Sequence, residues 1–260
     1  MRLKILALAV LVIGFAQCSF GATITSGFFD IAGTIFVTTP EAGGVITPAG
    51  DCPANTSCIF WQDSAGTTDN VVDIAQSGLP NGDIPLAISG NDAATIAPLE
   101  NPPEGVGTPL TPQTFITFNN GGISTALLLT YIDPGFYPST GCSASPAAPG
   151  QICTLLGSLF NFVNNPPAPG QATATWVFEG ITDTPNIIWT GNFTSQFPNA
   201  TPFQTVFEEL AANGYVSNTF SGTISLTLNT PEPGTLGLMM IGGGMLGLAS
   251  LLRRANRKSK

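Results

Sequence analysis

Histidine is absent from the 260-residue chain, and lysine and arginine occur only near its two ends. Arg2 and Lys4 precede the first apolar run, and the five other basic residues follow Leu252. Without histidine, Ser-His-Asp and Cys-His catalysis are excluded. Without lysine in residues 22–230, Schiff-base and Ser-Lys chemistry are excluded there. We therefore expect a protein that is not an enzyme and has no cofactor.

Residues 22–230 contain fifteen of the sixteen acidic residues and no lysine or arginine, so their formal charge is −15. Nucleic acid binding needs cationic contacts to phosphate, and the sequence therefore predicts no nucleic acid partner. Lys or Arg salt bridges are also excluded, so packing, hydrogen bonds and disulfides must stabilise this region. Because protonation relieves repulsion between carboxylates, we expect the region to tolerate acidic surroundings.

The N-terminus has the three parts of a secretory signal peptide. Arg2 and Lys4 form the charged start, and residues 5–16 form an apolar run that is short for a membrane span. Small residues near Gly21 predict cleavage after Gly21 or Ala22, with Cys18 as a competing site. The predicted organisation is a signal peptide at 1–21, an exported β-rich domain at 22–230 and a tail at 231–260.

The tail contains Pro231, Glu232 and Pro233, then an uncharged apolar run at 235–252, then a basic end at 253–260. As a helix, the eighteen residues of the run span about 27 Å, close to a hydrocarbon core of roughly 30 Å. The run predicts a transmembrane helix, and the basic end is predicted to stay cytoplasmic. The alternatives are a buried helix of a soluble domain and an ordinary single-pass anchor.

This tail resembles the PEP-CTERM sorting signal of Gram-negative bacteria, in which Pro-Glu-Pro precedes an apolar helix and an arginine-rich end. The resemblance implies recognition by an exosortase, a membrane-embedded protease, with cleavage near Pro231–Pro233. It further implies a membrane-anchored precursor and delivery to the cell surface or the exopolysaccharide matrix.

Four cysteines follow the signal peptide, and their even number outside the cytoplasm predicts disulfides. Three pairings are possible. The favoured one closes two short loops rich in Pro, Gly and Ser, and it joins Cys52 to Cys58 and Cys142 to Cys153. No metal site is predicted, because the chain lacks histidine and neither spacing is Cys-x-x-Cys.

Many short runs rich in β-branched and aromatic residues, separated by turn residues, predict a mainly β domain. The predicted strands lie at 28–39, 58–62, 71–74, 84–89, 114–118, 123–132, 153–163, 171–181, 186–195 and 215–228. Residues 119–122 predict a hairpin turn, and residues 90–112, with five prolines, predict a surface segment. The expected fold is an antiparallel β-sandwich, with a barrel or a β-helix as alternatives.

One short helix is predicted after Thr201. Thr201 is the expected cap, Pro202 the first helical residue and Gln204 the partner in a capping box. Phe203, Val206, Phe207 and Leu210 recur at helical spacing, and Gly214 ends the helix.

Three sets of residues are candidates for chemistry or binding. Glycosidases use a pair of carboxylates for catalysis. The candidates for such a pair are Asp133, Glu179 and Asp183, each beside an apolar strand. Ordinary solvated strand-end acids are the alternative. Oxygen ligands for calcium cluster at Asp63, Asp69, Asn70 and Asp73, although without EF-hand spacing.

The tryptophans are the third set, because their rings stack on sugars. Trp176 is expected in the core, Trp61 is expected to pack on a disulfide near Cys58, and Trp189 is left open. The sequence therefore predicts an exported envelope or exopolysaccharide-matrix protein. Its partners are an exosortase, the membrane through the tail helix, and possible extracellular polysaccharide. A surface carbohydrate-binding module is the alternative, and a secreted glycosidase is a remote one.

Overall fold

The alternating runs form long antiparallel strands. The computed structural model describes residues 26–75, 90–102, 104–118, 126–183 and 186–228. Its strands are β1 (Ser26–Thr38), β2 (Val45–Thr47), β3 (Gly50–Cys52), β4 (Ser57–Gln62), β5 (Val71–Ala75), β6 (Gly90–Ile96), β7 (Leu99–Asn101), β8 (Gln113–Phe118), β9 (Ala126–Ile132), β10 (Ile152–Cys153), β11 (Asn161–Asn165), β12 (Gln171–Thr182), β13 (Ile187–Gln196) and β14 (Tyr215–Leu228). A 3₁₀ helix spans Ser139–Ser143, and helix α1 spans Phe203–Asn213.

Eight strands close into a barrel. They pair in the order β12, β13, β14, β1, β5, β6, β8 and β9, and β9 pairs back onto β12. The domain is therefore mainly β with one short α-helix, as predicted, but the predicted sandwich is wrong. The alternation of inward and outward residues is the same in both architectures. The pairing of two sequence-distant strands decides between them.

Strands β4 and β5 lie in line along β1, because Thr34 pairs with Gln62 while Ala32 pairs with Asp73. Residues 63–70 leave this line as a loop. The next stretch of chain is similarly divided, since β6 pairs with β5 and β7 pairs with β4. The barrel wall is therefore irregular near β4 and β7, at the end of the barrel where the C-terminus of β1 lies.

The regular strands match their predicted positions within about two residues, as β1, β12, β13 and β14 show. The segment 90–112 was wrongly predicted to lie entirely on the surface, because it contains β6 and β7 and buries Ala94, Ile96 and Leu99. The predicted strand at 153–163 is also wrong, since a loop separates β10 from β11. The predicted strand at 84–89 and turn at 119–122 lie outside the described residues.

Aromatic rings fill the barrel interior. Trp61 lies among Phe115, Phe178, Phe193 and Phe220, with ring centroids 5.1–6.5 Å away. Its indole Nε1 donates to the carbonyl oxygen of Ala97 at 3.0 Å. Trp61 therefore packs in the main core and not on a disulfide, which corrects the prediction.

A second, smaller hydrophobic cluster lies on the outer side of the barrel wall that β1 and β4 form. Phe36 and Phe60 project there from β1 and β4 and pack with Val45, Ala49 and the two linked cysteines Cys52 and Cys58. The hairpin of β2 and β3 covers them. The second disulfide joins Cys142 in the 3₁₀ helix to Cys153 in β10. This is the pairing that loop closure favours.

Helix α1 begins without the predicted capping box. Pro202 occupies the cap position, and Thr201 Oγ1 donates instead to the carbonyl oxygen of Pro198. Asn164 of β11 supplies the cap, since its Oδ1 accepts a hydrogen bond from Phe203 N at 2.9 Å. Gly214 ends the helix in the left-handed conformation, with φ of 76°, as predicted.

Within the described ranges, no helix has both the length and the hydropathy needed to cross a membrane. The predicted signal helix at 1–21, the sorting residues Pro231, Glu232 and Pro233 and the predicted transmembrane helix at 235–252 lie outside these ranges.

Candidate functional site

An apolar cavity of about 240 Å³ lies at the end of the barrel where β1 finishes and β14 starts. The inward-facing residues Ile35, Ile59, Ile132, Ala174 and Trp176 line it. Farther along the barrel, Trp61, Phe115, Phe178 and Trp189 fill the interior. The cavity is therefore the space between this aromatic filling and the structures that cover the barrel end.

Helix α1 and the loop at 155–160 cover the cavity. Val206, Phe207 and Leu210 of the helix line it, as do Leu159 and Phe160 of the loop. The hydrophobic face predicted for the helix therefore lies over the barrel end. Because these two segments are outside the barrel wall, the shape of the cavity depends on how they are anchored.

A buried amide network anchors the helix. Asn164 is fully buried and donates from Nδ2 to Gln204 Oε1 at 3.0 Å and to Gln151 Oε1 at 3.3 Å. Gln204 Nε2 donates to the carbonyl oxygen of Ala144 at 2.9 Å. The disulfide between Cys142 and Cys153 links the two segments that contribute to this network. Satisfied buried networks of this kind fix one arrangement of the backbone.

The rim of the cavity contains two acidic residues. Glu100 and Glu104 are half-buried and both line the cavity. The backbone N–H of Glu100 donates to Glu104 Oε2 at 2.6 Å, and Gln113 Nε2 donates to Glu104 Oε1 at 3.1 Å. The Glu104 carboxylate is thereby held in one place. Leu156, which is 96% exposed, also lines the cavity and marks where it meets solvent.

Trp176 lines the cavity and carries a buried donor. Its ring is buried and stacks on Phe193, with ring centroids 5.6 Å apart. Among the described residues, its Nε1 finds no hydrogen-bond acceptor. Buried indole N–H groups usually have a partner. The part of the chain that the structure describes thus leaves this buried donor unsatisfied.

The three candidate glycosidase carboxylates do not form one site. Asp133 N donates to the carbonyl oxygen of Val177, so Asp133 and Glu179 are diagonal neighbours across β9 and β12. Glu179 is exposed on the outer wall, and Asp183 follows the C-terminal end of β12. Burial raises the pKa of Asp133 above its ordinary value. None of the three lines the cavity.

The candidate calcium ligands serve the loop at 63–70 as hydrogen-bond acceptors. Asp63 Oδ1 accepts from Thr67 N at 2.6 Å and from Thr68 N at 3.0 Å. Asp69 Oδ1 accepts from Gln62 Nε2 at 2.5 Å, and Asp73 Oδ2 accepts from Ser64. Asn70 adopts a positive φ of 58°. Across the described part of the chain, no three acidic or cysteine side chains are grouped as metal ligands.

The hydrogen bonds to Asp63 lower the pKa of its carboxyl group. The backbone N–H of Thr68 is the largest influence, and together with Thr67 and Gly66 it holds the pKa of Asp63 below its ordinary value, against the opposing effect of burial. A lowered pKa means that the ionised carboxylate stabilises the fold above about pH 4, and that this contribution is lost as the pH falls through the folded-state pKa. The raised pKa of Asp133 acts oppositely, because protonation on acidification relieves its burial cost.

We expect the melting temperature to hold or rise from pH 7 to about pH 4.5 and to fall only below about pH 4. Asp63→Asn should lower the melting temperature at pH 5–7, and the difference from the unchanged protein should shrink as the pH falls below about 4. Thermal melts of both proteins across this range measure the effect, with exposed Asp51→Asn as the control. A steady decline from pH 7 to pH 4 would contradict the expectation.

All three tryptophans are buried, with at most 1% of each side chain exposed. The core position predicted for Trp176 is confirmed. Trp189 lies opposite Gly180 and donates from Nε1 to the carbonyl oxygens of Leu128 and Ile181. No tryptophan in the described ranges therefore presents a free face for sugar stacking.

Sequence reasoning missed the cavity, the two rim glutamates and the cap from Asn164. Alternation at Ala94, Thr95 and Ile96 was the signal that the proline-rich segment contains a strand. No local pattern marks Asn164, because the helix that it caps begins 39 residues later.

Comparison with known protein families identifies a sorting motif in the tail. A family model described as the PEP-CTERM protein-sorting motif matches residues 229–255. No curated protein and no solved structure matches the chain. The match confirms the resemblance seen at Pro231, Glu232 and Pro233.

Proposed function

We propose that the barrel is a binding module for a small apolar molecule. The PEP-CTERM protein-sorting motif supports an exported protein that is sorted by an exosortase. The cavity of about 240 Å³ at the barrel end carries the proposal. Benzene fills an apolar cavity of roughly 150 Å³, so this one has room for about ten non-hydrogen atoms. The mouths of eight-stranded barrels commonly hold one small ligand.

A further feature supports a ligand here. The covering helix is held by the network at Asn164, which keeps the space from collapsing under it. A preformed cavity binds at lower cost than one that must be ordered by the ligand.

The protein acts, in this proposal, at the cell surface or in the exopolysaccharide matrix and without catalysis. The motif implies export and a membrane-anchored precursor, and its basic end and apolar run support anchoring through residues 235–252. Deleting residues 231–260 should remove the protein from the surface fraction, as immunoblots of fractionated cells would show. Polysaccharide hydrolysis that disappears in Glu179→Gln would contradict the absence of catalysis.

A carbohydrate-binding module is less well supported. Its chemistry relies on aromatic faces open to solvent. Trp61, Trp176 and Trp189 are all in the core.

Binding of 1-octanol tests the proposed function. We expect the full-length protein in zwitterionic nanodiscs to bind about one octanol per chain saturably, as measured by calorimetry after subtraction of empty nanodiscs. Ala174→Leu extends a side chain into the cavity and should weaken binding at least about tenfold. It should not lower stability, because cavity-filling changes commonly stabilise.

The matched control is Thr175→Leu, which adds a leucine to the same strand on its exposed face. This variant should bind octanol like the unchanged protein. Equal binding by Ala174→Leu and the unchanged protein would show that octanol enters only the lipid, and would reject the proposed function.

A further inference from the structure

We infer that the ligand of this cavity carries a cationic head group of the alkylammonium type, placed at the rim beside Glu100 and Glu104. The inference rests on the proposed function and adds the chemical class of the ligand. It follows from the charges around the cavity, the fixed position of one carboxylate and the apolar lining behind them.

The charged residues that line the cavity are both acidic, Glu100 and Glu104. No lysine, arginine or histidine occurs between residues 5 and 252, so the domain has no basic side chain with which to neutralise a bound anion. A carboxylate or phosphate head group would therefore meet like charge at the rim. Placing an unpaired charge in a partly desolvated site is costly. Fatty acids and lipid phosphates are thus disfavoured.

The rim is arranged to accept hydrogen bonds. Backbone N of Glu100 and side-chain Nε2 of Gln113 hold the Glu104 carboxylate, one donor on each oxygen. Each carboxylate oxygen accepts more than one hydrogen bond, so acceptor sites remain for a ligand N–H. Charge-assisted N–H···O bonds are stronger than neutral ones. An alkyl chain in the cavity would leave its ammonium group beside these oxygens.

A matched octyl series tests the head group. Octylamine, which is an ammonium ion at pH 7, should bind at least about tenfold more tightly than octanoate at low salt, with 1-octanol between them. Raising the salt should reduce this ratio, because exposed charges are screened. All three are measured by calorimetry on the full-length protein in zwitterionic nanodiscs, with empty nanodiscs subtracted.

Two sets of variants distinguish the effect of the charge at the rim from the effect of the overall charge of the barrel. Glu100→Gln combined with Glu104→Gln should bring the octylamine to octanoate ratio within about threefold. Glu179→Gln changes one charge on the exposed outer wall and should keep most of the ratio.

The two proposals fail in different ways. If none of the three compounds binds, the proposed function fails. If octanol binds and octanoate equals or exceeds octylamine, or if Glu179→Gln abolishes the ratio as fully as the rim variants do, the head-group inference is overturned and the apolar site remains.

Discussion

Trp61→Ala is expected to destabilise the barrel by about 3–5 kcal/mol, the range for truncating a buried aromatic residue. Trp61 is fully buried and packs edge-on against Phe115, Phe178 and Phe220. Truncation removes these contacts and also the hydrogen bond to the carbonyl oxygen of Ala97. Together with Phe193, these rings come from four different strands, so the wall cannot close on the space without moving several elements.

Thermal or urea unfolding of the full-length protein measures this effect. For a domain of about 200 residues, a loss of this size lowers the melting temperature by about 10 °C. Trp61→Phe should cost less, because an aromatic ring remains. The control is Phe136→Ala, which truncates a ring that is 75% exposed and should change stability by less than about 0.5 kcal/mol. Similar losses in Trp61→Ala and Phe136→Ala would contradict the core position of Trp61.

The regular part of the barrel was readable from the sequence because its signal is local. Ala172, Ala174, Trp176 and Phe178 alternate with outward residues, and the same period runs through β13 and β14. Such alternation fixes which residues face inward but leaves the partner of each strand open. Closure of the barrel depends on β9 pairing with β12, which no local pattern specifies.

The errors occur where distant contacts override local preference. Cys153 to Val163 is apolar enough for one strand, but Leu155 and Leu156 leave the sheet and line the cavity instead. Thr201 has the chemistry of a helix cap, yet Asn164 takes that role from another strand. Trp61 is close to Cys58 in sequence, but successive strand residues face opposite sides, and the two side chains belong to different clusters.

The candidate site was predictable only in its charge. The absence of basic residues from 5–252 is visible in the sequence, and it fixes the sign of any charge that the barrel presents to a ligand. The cavity is a tertiary feature, formed by strand ends, the loop at 155–160 and helix α1 together. The rim glutamates become a pair because Glu104 folds back onto the backbone of Glu100.

Gly180→Ala is expected to open the seam between β9 and β12 and to destabilise the domain by about 3 kcal/mol or more. The register of β12 on β9 shifts between Glu179 and Gly180, and Trp189 crosses over Gly180 to donate from Nε1 to Leu128 O at 3.1 Å. A methyl group at residue 180 would collide with that carbonyl oxygen and would lie 2.6 Å from Trp189 Cε2. Overpacking alone costs about 1–3 kcal/mol. To admit the methyl group the indole must move away from both of its acceptors, Leu128 O and Ile181 O, and a buried donor that loses its acceptors adds about 1–3 kcal/mol.

The same substitution at Gly43 gives the control, because a methyl group there meets no atom within 4 Å. Gly43→Ala should leave the melting temperature unchanged or slightly higher, since alanine restricts the unfolded chain. Hydrogen exchange adds a local readout. Amides of β9 and β12 should lose protection in Gly180→Ala before those of β13 and β14, because only the seam is strained. Unchanged stability, together with full protection of β9, would mean that the sheet is not closed through this pairing and that the sandwich expected from the sequence should be reconsidered.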